Sequence, residues 1–516
     1  MNEIMSRTLS FGVSGVNGFP VYIEAFGING MPGMEIIGLP DASVRESKDR
    51  VNAAIINSGK QIQPRRITIN LAPADMKKEG PSFDLPIAIG VMIAMGEIVP
   101  DPQIDMNGVA FFGELSLDGS VQPINGALPM VISAKENGIR RVVLPAKNAR
   151  EVSCIQDMEI LPVSDLRQVI EWLTGKQDIP AQKQMTFEEL KNEAVITTDM
   201  SQIKGQRGAR RGIEVAAAGG HNMLMIGVPG SGKTMLARCI PGILPPLSFE
   251  ESLETTRIHS ICGKLPAGSG LMVTRPFSAP HHNASVASLI GGGQDAKPGE
   301  VSLAHNGVLF LDELPEFSRS ALEALRQPLE DGIVSVARVK KQAQYQSSFM
   351  LVAAMNPCPC GYYGSTRRTC RCTPPEIRKY LDRVSGPLLD RIDLQIEVDS
   401  VPVSEINSDE PSESSATVAE RVRKARMIQL ERYKGTGKHC NAQLSNTEVK
   451  YFCTPDPEAI RLLNSAVDTL HLSMRAYQRI LKVSRTIADL DGESIISSAH
   501  VAEAIQYREL DQKYWR

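Results

Sequence analysis

The stretch Gly227-Val-Pro-Gly-Ser-Gly-Lys-Thr234 directly follows four apolar residues, Met223 to Ile226, and directly precedes the helical segment Met235 to Cys239. A strand, a glycine-rich turn and a helix in that order restrict the fold more than any other part of the sequence. A fully apolar strand needs cover on both faces, which a parallel α/β sheet flanked by helices supplies. Glycines let backbone N–H groups approach a phosphate, and the following helix N-terminus adds its dipole. Lys233 is suited to neutralise the β- and γ-phosphate oxygens, and the Thr234 hydroxyl to ligate Mg²⁺. Gly227, Val228, Pro229, Gly230, Ser231, Gly232, Lys233 and Thr234 therefore form the expected cradle of a nucleoside triphosphate.

Downstream, Val308-Leu-Phe-Leu-Asp-Glu313 ends an apolar run in two carboxylates. Such a run reads as a buried strand whose C-terminal edge presents acids to a cleft. Asp312 is expected to hold Mg²⁺ through water, and Glu313 to polarise the attacking water as general base. Apolar runs before Asp-Glu are common; the phosphate loop gives this one its meaning. A further run, Met350 to Met355, ends in Asn356.

The chain has 516 residues, which at about 150 per domain gives about three domains. Three regions separate by pattern. From the start to about residue 175, β-type runs such as Val21 to Phe26 and Arg66 to Leu71 alternate with helical stretches such as Ser43 to Ser58 and Asp84 to Met95, predicting an α+β domain. A polar stretch from Lys176 to Glu188 reads as a linker. Residues 190–400 form the parallel-sheet α/β region, Asp399 to Thr417 is Ser/Glu/Pro-rich and reads as a flexible connection, and 418–516 carries helical periodicity. A net charge of −3, from 56 basic and 59 acidic residues, excludes a global basic field, so any nucleic-acid contact has to use a local patch. The start carries Glu3 and Arg7 with no apolar core behind them, and the longest apolar stretch, Leu85 to Gly96, is broken by Pro86 and Gly90 and falls short of the roughly 20 residues of a membrane helix. A cytoplasmic protein with no membrane partner is expected. The odd total of nine cysteines argues against a disulfide framework.

The middle region resembles the AAA+ ATPases, specifically their magnesium-chelatase-like branch. The matching blocks are Ile203-Lys-Gly-Gln206, Ala216-Ala-Ala-Gly-Gly-His-Asn222, Arg275-Pro-Phe-Ser-Ala-Pro-His-His282, Lys297-Pro-Gly-Glu-Val-Ser-Leu-Ala-His-Asn-Gly307 and Leu311-Asp-Glu-Leu-Pro-Glu-Phe317. The ordering over nearly the whole chain is similar to the YifB/ComM family. The resemblance implies ATP and Mg²⁺ as cofactors, Asn356 as a sensor of the γ-phosphate, Arg391 in Pro387-Leu-Leu-Asp-Arg-Ile-Asp393 as an arginine finger, and Arg475 in Ser473-Met-Arg-Ala-Tyr-Gln-Arg479 as a second sensor. From the residues alone, Asn356 before Pro357 also suits a turn, Arg391 between two aspartates also suits an internal ion pair, and Arg383 is an alternative finger. A finger acts on a neighbour's nucleotide, so the resemblance implies a homo-oligomer, a hexameric ring, with a helical C-terminal lid. It further implies an ATP-driven motor on single-stranded or branched DNA, a helicase or branch-migration factor in recombination or natural transformation, working beside recombination proteins. A magnesium-chelatase-like ATPase that remodels a protein complex is the alternative.

Cys358-Pro-Cys360 and Cys370-Arg-Cys372 place four thiols in one loop of the ATPase region, as tetrahedral Zn²⁺ requires, although free buried thiols also fit a C-x-C spacing. Arg367, Arg368 and Arg371 share this loop with Tyr362 and Tyr363, a combination that suits a nucleic-acid strand or a solvated loop equally. Gly332 to Lys341 reads as a strand entering a basic turn at Lys340 and Lys341, either a pore hairpin on a phosphate backbone or a solvent-facing one. In the N-terminal region, Glu79-Gly-Pro-Ser-Phe-Asp84 and Gly113-Glu-Leu-Ser-Leu-Asp-Gly119 resemble the Lon protease domain, of S5-type fold. Ser82 matches its nucleophile, but Met130 stands where its catalytic lysine belongs and cannot take a proton. The expected domain keeps the shape without the chemistry, leaving an ATP-dependent serine protease as the last alternative.

Overall fold

Met223–Gly227 is buried along its whole length in a computed structural model that describes residues 5–193, 198–266, 268–293, 296–338, 341–365, 368–402, 405 and 412–515. It lies inside a five-stranded sheet, in the order Phe277–Ser278, Val308–Leu311, Met350–Met355, Met223–Gly227, Leu394–Val398. Every pairing is parallel, so the C-terminal ends of all five strands share one edge. The loop after each strand therefore opens onto the same crevice. Gly230 at φ +76° and Gly232 at φ +94° take the left-handed turn that brings the chain from strand to helix Lys233–Ile243.

The chain divides into two compact units. Sequence pattern separates three regions; here the sheet just described and the C-terminal helices share one unit, Val195–Leu247 with Thr274–Arg516. The other is Met1–Ala194 with Ser248–Val273. Its seven-stranded sheet runs Gly33–Ile37, Arg66–Ala72, Asn17–Ile28, Met5–Ser14, Val109–Phe111, Arg141–Pro145, Glu159–Val163. Along Asn17–Ile28, Phe19, Val21, Ile23 and Ala25 alternate into the core, the period of a half-buried strand. The apolar run from Leu85 is the core helix Asp84–Ala94. At its start Asp84, fully buried, receives Arg50 through two bonds of 2.7 and 3.0 Å. The segment Ser248–Val273 belongs to this unit through helix Phe249–Ile261: Ser260 bonds the buried carboxylate of Glu151, Gly126 N donates to Ser260 O at 3.1 Å, and Leu271 is buried in the same core as Leu190. No helix among the described residues is long and apolar enough to cross a membrane.

In the second unit, Ser415–Arg432 and Met474–Asp491 pack on helices of the sheet, and one core joins Leu236, Val308 and Val352 to Val422, Ile480 and Ile487. A buried polar network crosses this joint. His221 Nδ1 lies 3.2 Å from Asp393 Oδ2 and its Nε2 2.7 Å from Thr486 Oγ1, while Arg479 Nε stands 3.6 Å from Asp393 Oδ1. Burial alone would raise the Asp393 carboxyl, but the hydrogen bond from His221 and the charges of Arg479 and Lys482 outweigh it and hold the pKa at about 2. An aspartate held below its ordinary value of about 3.9 stabilises the fold above that value, and the contribution disappears as pH falls towards 2. Urea titrations should therefore show wild-type stability declining between about pH 4 and 2, with Asp393→Asn about 2 kcal/mol less stable at neutral pH and flatter across that window. Equal stability of the two proteins at neutral pH would count against this network.

Candidate nucleotide site

The buried ammonium of Lys233 donates to Gly227 O at 2.8 Å, Val228 O at 3.0 Å and Asn356 Oδ1 at 3.3 Å. Burial lowers its pKa, and the charges of Asp312 and Glu313 offset part of that. Thr234 Oγ1 donates to Asp312 Oδ2 at 2.8 Å. Ser231 Oγ is buried with no hydrogen-bond partner among the described residues, and no atom lies within 4 Å of where a Cβ would stand on Gly230 or Gly232. An orphaned hydroxyl beside an open glycine cradle fits a phosphate ligand, and Thr234 with Asp312 supplies the hard oxygen donors that Mg²⁺ takes. Beside the loop opens a cavity of about 1250 Å³ lined by Gln206, Val228, Tyr363, Val398 and others, with room for a base and ribose.

Three strand ends thus bring together Lys233, Thr234, Asp312, Glu313 and Asn356. Glu313 sits at φ +52°, a left-handed conformation costly for a side-chain-bearing residue, which turns the chain sharply after the strand. Its Oε2 lies 3.2 Å from His282 Nδ1, and the His282 ring stacks on His281 at 4.1 Å. Sequence reasoning noted the block ending in His282 but gave it no role. The signal is spatial: His282 leaves the edge strand Phe277–Ser278, which pairs with Val308–Leu311. Gln206 is a second such residue, its amide bonding Ser231 O at 3.2 Å and Asp399 O.

The arginines stand apart from this cluster. Arg391 is 13% exposed and bonds Pro387 O and Glu330, whereas Arg383 is 50% exposed beside Glu316 at 2.8 Å. Arg475 pairs with Asp390 at 3.2 Å and is 74% exposed. Among the described residues no hydrogen bond or ion pair joins Arg391 or Arg475 to the phosphate loop of the same chain.

Cys358, Cys360, Cys370 and Cys372 converge, with all four sulfurs within 4.8 Å of one another. Three pairs stand 3.4, 3.7 and 3.6 Å apart, where a tetrahedral zinc with bonds of about 2.3 Å sets sulfurs about 3.8 Å apart. Arg368 stacks on the Tyr362 ring at 4.5 Å and donates to its hydroxyl, Arg371 is exposed, and Arg367 lies outside the described residues. Strands Ile333–Arg338 and Lys341–Gln346 pair antiparallel with Arg338 opposite Lys341; Lys340 lies outside the described residues. In the other unit, Ser82 Oγ is buried without a partner among the described residues, Met130 is core, and Lys135, the nearest lysine downstream of Met130, is engaged by Gln156 O and Asp157.

A parallel sheet with a phosphate loop, a paired Asp-Glu strand end and an asparagine at the next strand end that meets the loop lysine defines a P-loop ATPase. Comparison with known proteins narrows the class. Residues 199–406 match the family model "Magnesium chelatase, subunit ChlI", residues 23–148 "Subunit ChlI of Mg-chelatase", and residues 412–508 "Magnesium chelatase, subunit ChlI C-terminal". The chain is 43% identical over 496 residues to "Competence protein ComM" of Haemophilus influenzae, covering 96% of this chain and 95% of that one. It is 42% identical over 502 residues to protein YifB of Escherichia coli K12, covering 96% of each. A shorter match, 30% identical over 151 residues, joins 28% of this chain to 26% of "Lon protease 2" of Bacillus subtilis. The chain belongs to the YifB/ComM family of magnesium-chelatase-like AAA+ ATPases.

Lys233→Ala should abolish ATP binding, and Glu313→Gln should bind ATP and fail to hydrolyse it, lowering turnover by at least about a hundredfold. Filter binding beside a phosphate-release assay separates the two, and wild-type turnover by Glu313→Gln would refute its role as general base. His282→Ala, by freeing the Glu313 carboxylate, should change kcat far more than KM.

Proposed function

We propose that this ATPase is a ring-forming motor that acts on DNA, separating strands or migrating branches in homologous recombination or natural transformation, and that it works in the cytoplasm. The observation that carries the ATP chemistry is the convergence of Lys233, Thr234, Asp312, Glu313 and Asn356 at one sheet edge. The DNA assignment rests on the match along nearly the whole chain to a relative named as a competence protein. ATP binds with its phosphates on Gly227 to Thr234; Thr234, and Asp312 through water, would hold Mg²⁺, which would screen the phosphate charge. Glu313 takes the proton of the attacking water, and Asn356 orients that water against the γ-phosphate. Arg391 completes the site of the next subunit in a hexamer, exchanging Glu330 for phosphate, and Arg475 serves as a second sensor of the nucleotide. Lys340, Lys341, Arg367, Arg368 and Arg371 meet the DNA backbone. One zinc per chain sits on the four cysteines.

The family-model names favour a second reading, an ATPase that remodels a protein complex as magnesium chelatase subunits do. Proteolysis finds less support, because Ser82 Oγ has no hydrogen-bond partner among the described residues and Lys135 is engaged elsewhere.

Hydrolysis measured with single-stranded, duplex, forked and four-way DNA decides between the first two. Stimulation at about 50 mM salt that falls steeply with added salt is expected, with Lys340→Ala/Lys341→Ala losing the stimulation and keeping basal turnover. Indifference to every DNA form would move the assignment to the remodelling reading. Mixing inactive Arg391→Ala with inactive Lys233→Ala subunits should restore part of the hydrolysis, and silence in every ratio, with assembly intact, would remove the finger from Arg391.

A further inference from the structure

We propose that the four-cysteine loop is a metal clasp that shapes the nucleotide site itself, so that zinc occupancy sets the rate of ATP hydrolysis. This rests on the zinc reading above.

Three independent contacts lead from the cysteines to the nucleotide. The first runs through the sensor. Cys358 follows Asn356 by two residues, and Asn356 accepts from Lys233 at 3.3 Å. The backbone of Asn356 is close enough to the hydroxyl of Tyr380, on helix Pro374–Leu381, to offset part of the rise that burial gives its pKa. That helix starts directly after Cys372 and Thr373, whose hydroxyl and N–H both bond Glu376. The chain from Asn356 through the cysteines to Tyr380 is thus a closed loop, with the metal position at its waist and the sensor at its join.

The second contact is with the phosphate loop. Gly361, between the two cysteine pairs, lies at φ +83°, and a Cβ there would stand 2.6 Å from ring carbons of Pro229. The cysteine loop and the phosphate loop touch with no room for a methyl group. The third is the cavity wall: Pro357, Tyr363, Gly364 and Ser365 all line the space beside the phosphate loop. Tyr363 stands there edge-on to Tyr514 at 6.3 Å and is still 39% exposed.

The cysteine sulfurs are themselves arranged as metal thiolates. The backbone N–H of Cys372 donates to Cys370 Sγ at 3.4 Å. Such a donor supports the negative charge that a ligating sulfur carries and fixes its direction. Without a cation, four sulfurs at this spacing repel once ionised, and the loop that holds Asn356 and Gly361 in place has nothing at its waist.

The test uses the full-length protein purified under reducing conditions. Elemental analysis should find one zinc per chain, and Co²⁺ exchanged into the metal-free protein should give the visible and thiolate charge-transfer bands of a tetrahedral four-sulfur site. Removing zinc with a mercurial and then a thiol should lower kcat by about tenfold, with circular dichroism unchanged and a fluorescent ATP analogue still bound, and adding Zn²⁺ should restore the rate. In Asn356→Ala protein, zinc removal should cost little more, since both changes act on one step. Gly361→Ala should retain its zinc and raise KM for ATP by pressing on Pro229. Failure to bind zinc or Co²⁺ under any reducing condition overturns the zinc reading and this inference together. Bound zinc whose removal leaves kcat unchanged, or fully additive losses in Asn356→Ala, overturns this inference alone and leaves the ATPase and zinc assignments standing.

Discussion

An ammonium ion that is 8% exposed has to be met by acceptors, and Lys233 is met by two carbonyls of its own loop and by the side chain of Asn356 on a neighbouring strand. That single charge dictates much of the surrounding geometry. Asn356 can reach it only because Met350–Met355 and Met223–Gly227 run parallel and in register, so that both strands end at the same height. The same register on the far side of Met350–Met355 brings Asp312 to Thr234. A buried cation held by replaceable oxygens is ready to exchange them for phosphate without first being taken from water.

The strands of this site were legible because a strand covered on both faces reads as an unbroken apolar run, and the residues ending each run carry the chemistry. Gly230 and Gly232 were legible for a related reason, since the turn demands a backbone few other residues adopt. What stayed hidden depends on partners far along the chain. His282 acquires meaning only from Glu313, and Gln206 only from Ser231 and Asp399. Tyr363 is a surface aromatic beside arginines, and its contact with Tyr514 near the end of the chain could not be read locally. Arg391, which the resemblance implies as an arginine finger, bonds Glu330 and Pro387 O of its own chain, partners that no local sequence pattern announced. The cysteine spacing suited a metal site or free buried thiols, but nothing local revealed that Gly361 abuts Pro229.

Where the sheet meets the C-terminal helices, hydrocarbon and hydrogen bonds divide the work. The common core of Leu236, Val352, Val422 and Ile487 supplies non-directional attraction that tolerates small slippage. His221, Asp393, Arg479 and Thr486 do not tolerate it, since each bond needs its partner within a fraction of an ångström. His221 comes from the end of helix Arg207–Gly219 and Asp393 from the start of strand Leu394–Val398, so the helices are keyed to the backbone that flanks the nucleotide cavity.

The assignment of Ser248–Val273 to the N-terminal unit has a consequence for how this architecture can be inherited. The chain leaves the first unit near residue 194, returns to it for these residues, and leaves again before Thr274. A shortened protein beginning after the first departure would keep Leu271 and the helix Phe249–Ile261 but lose Glu151, Gly126 and Leu190, against which they fold. Its stranded loop would expose apolar surface and an unmet serine in the middle of an otherwise complete ATPase. Gene fusion or loss at the boundary between the two units is thereby penalised, and covalent interleaving ties the Lon-like part to the ATPase.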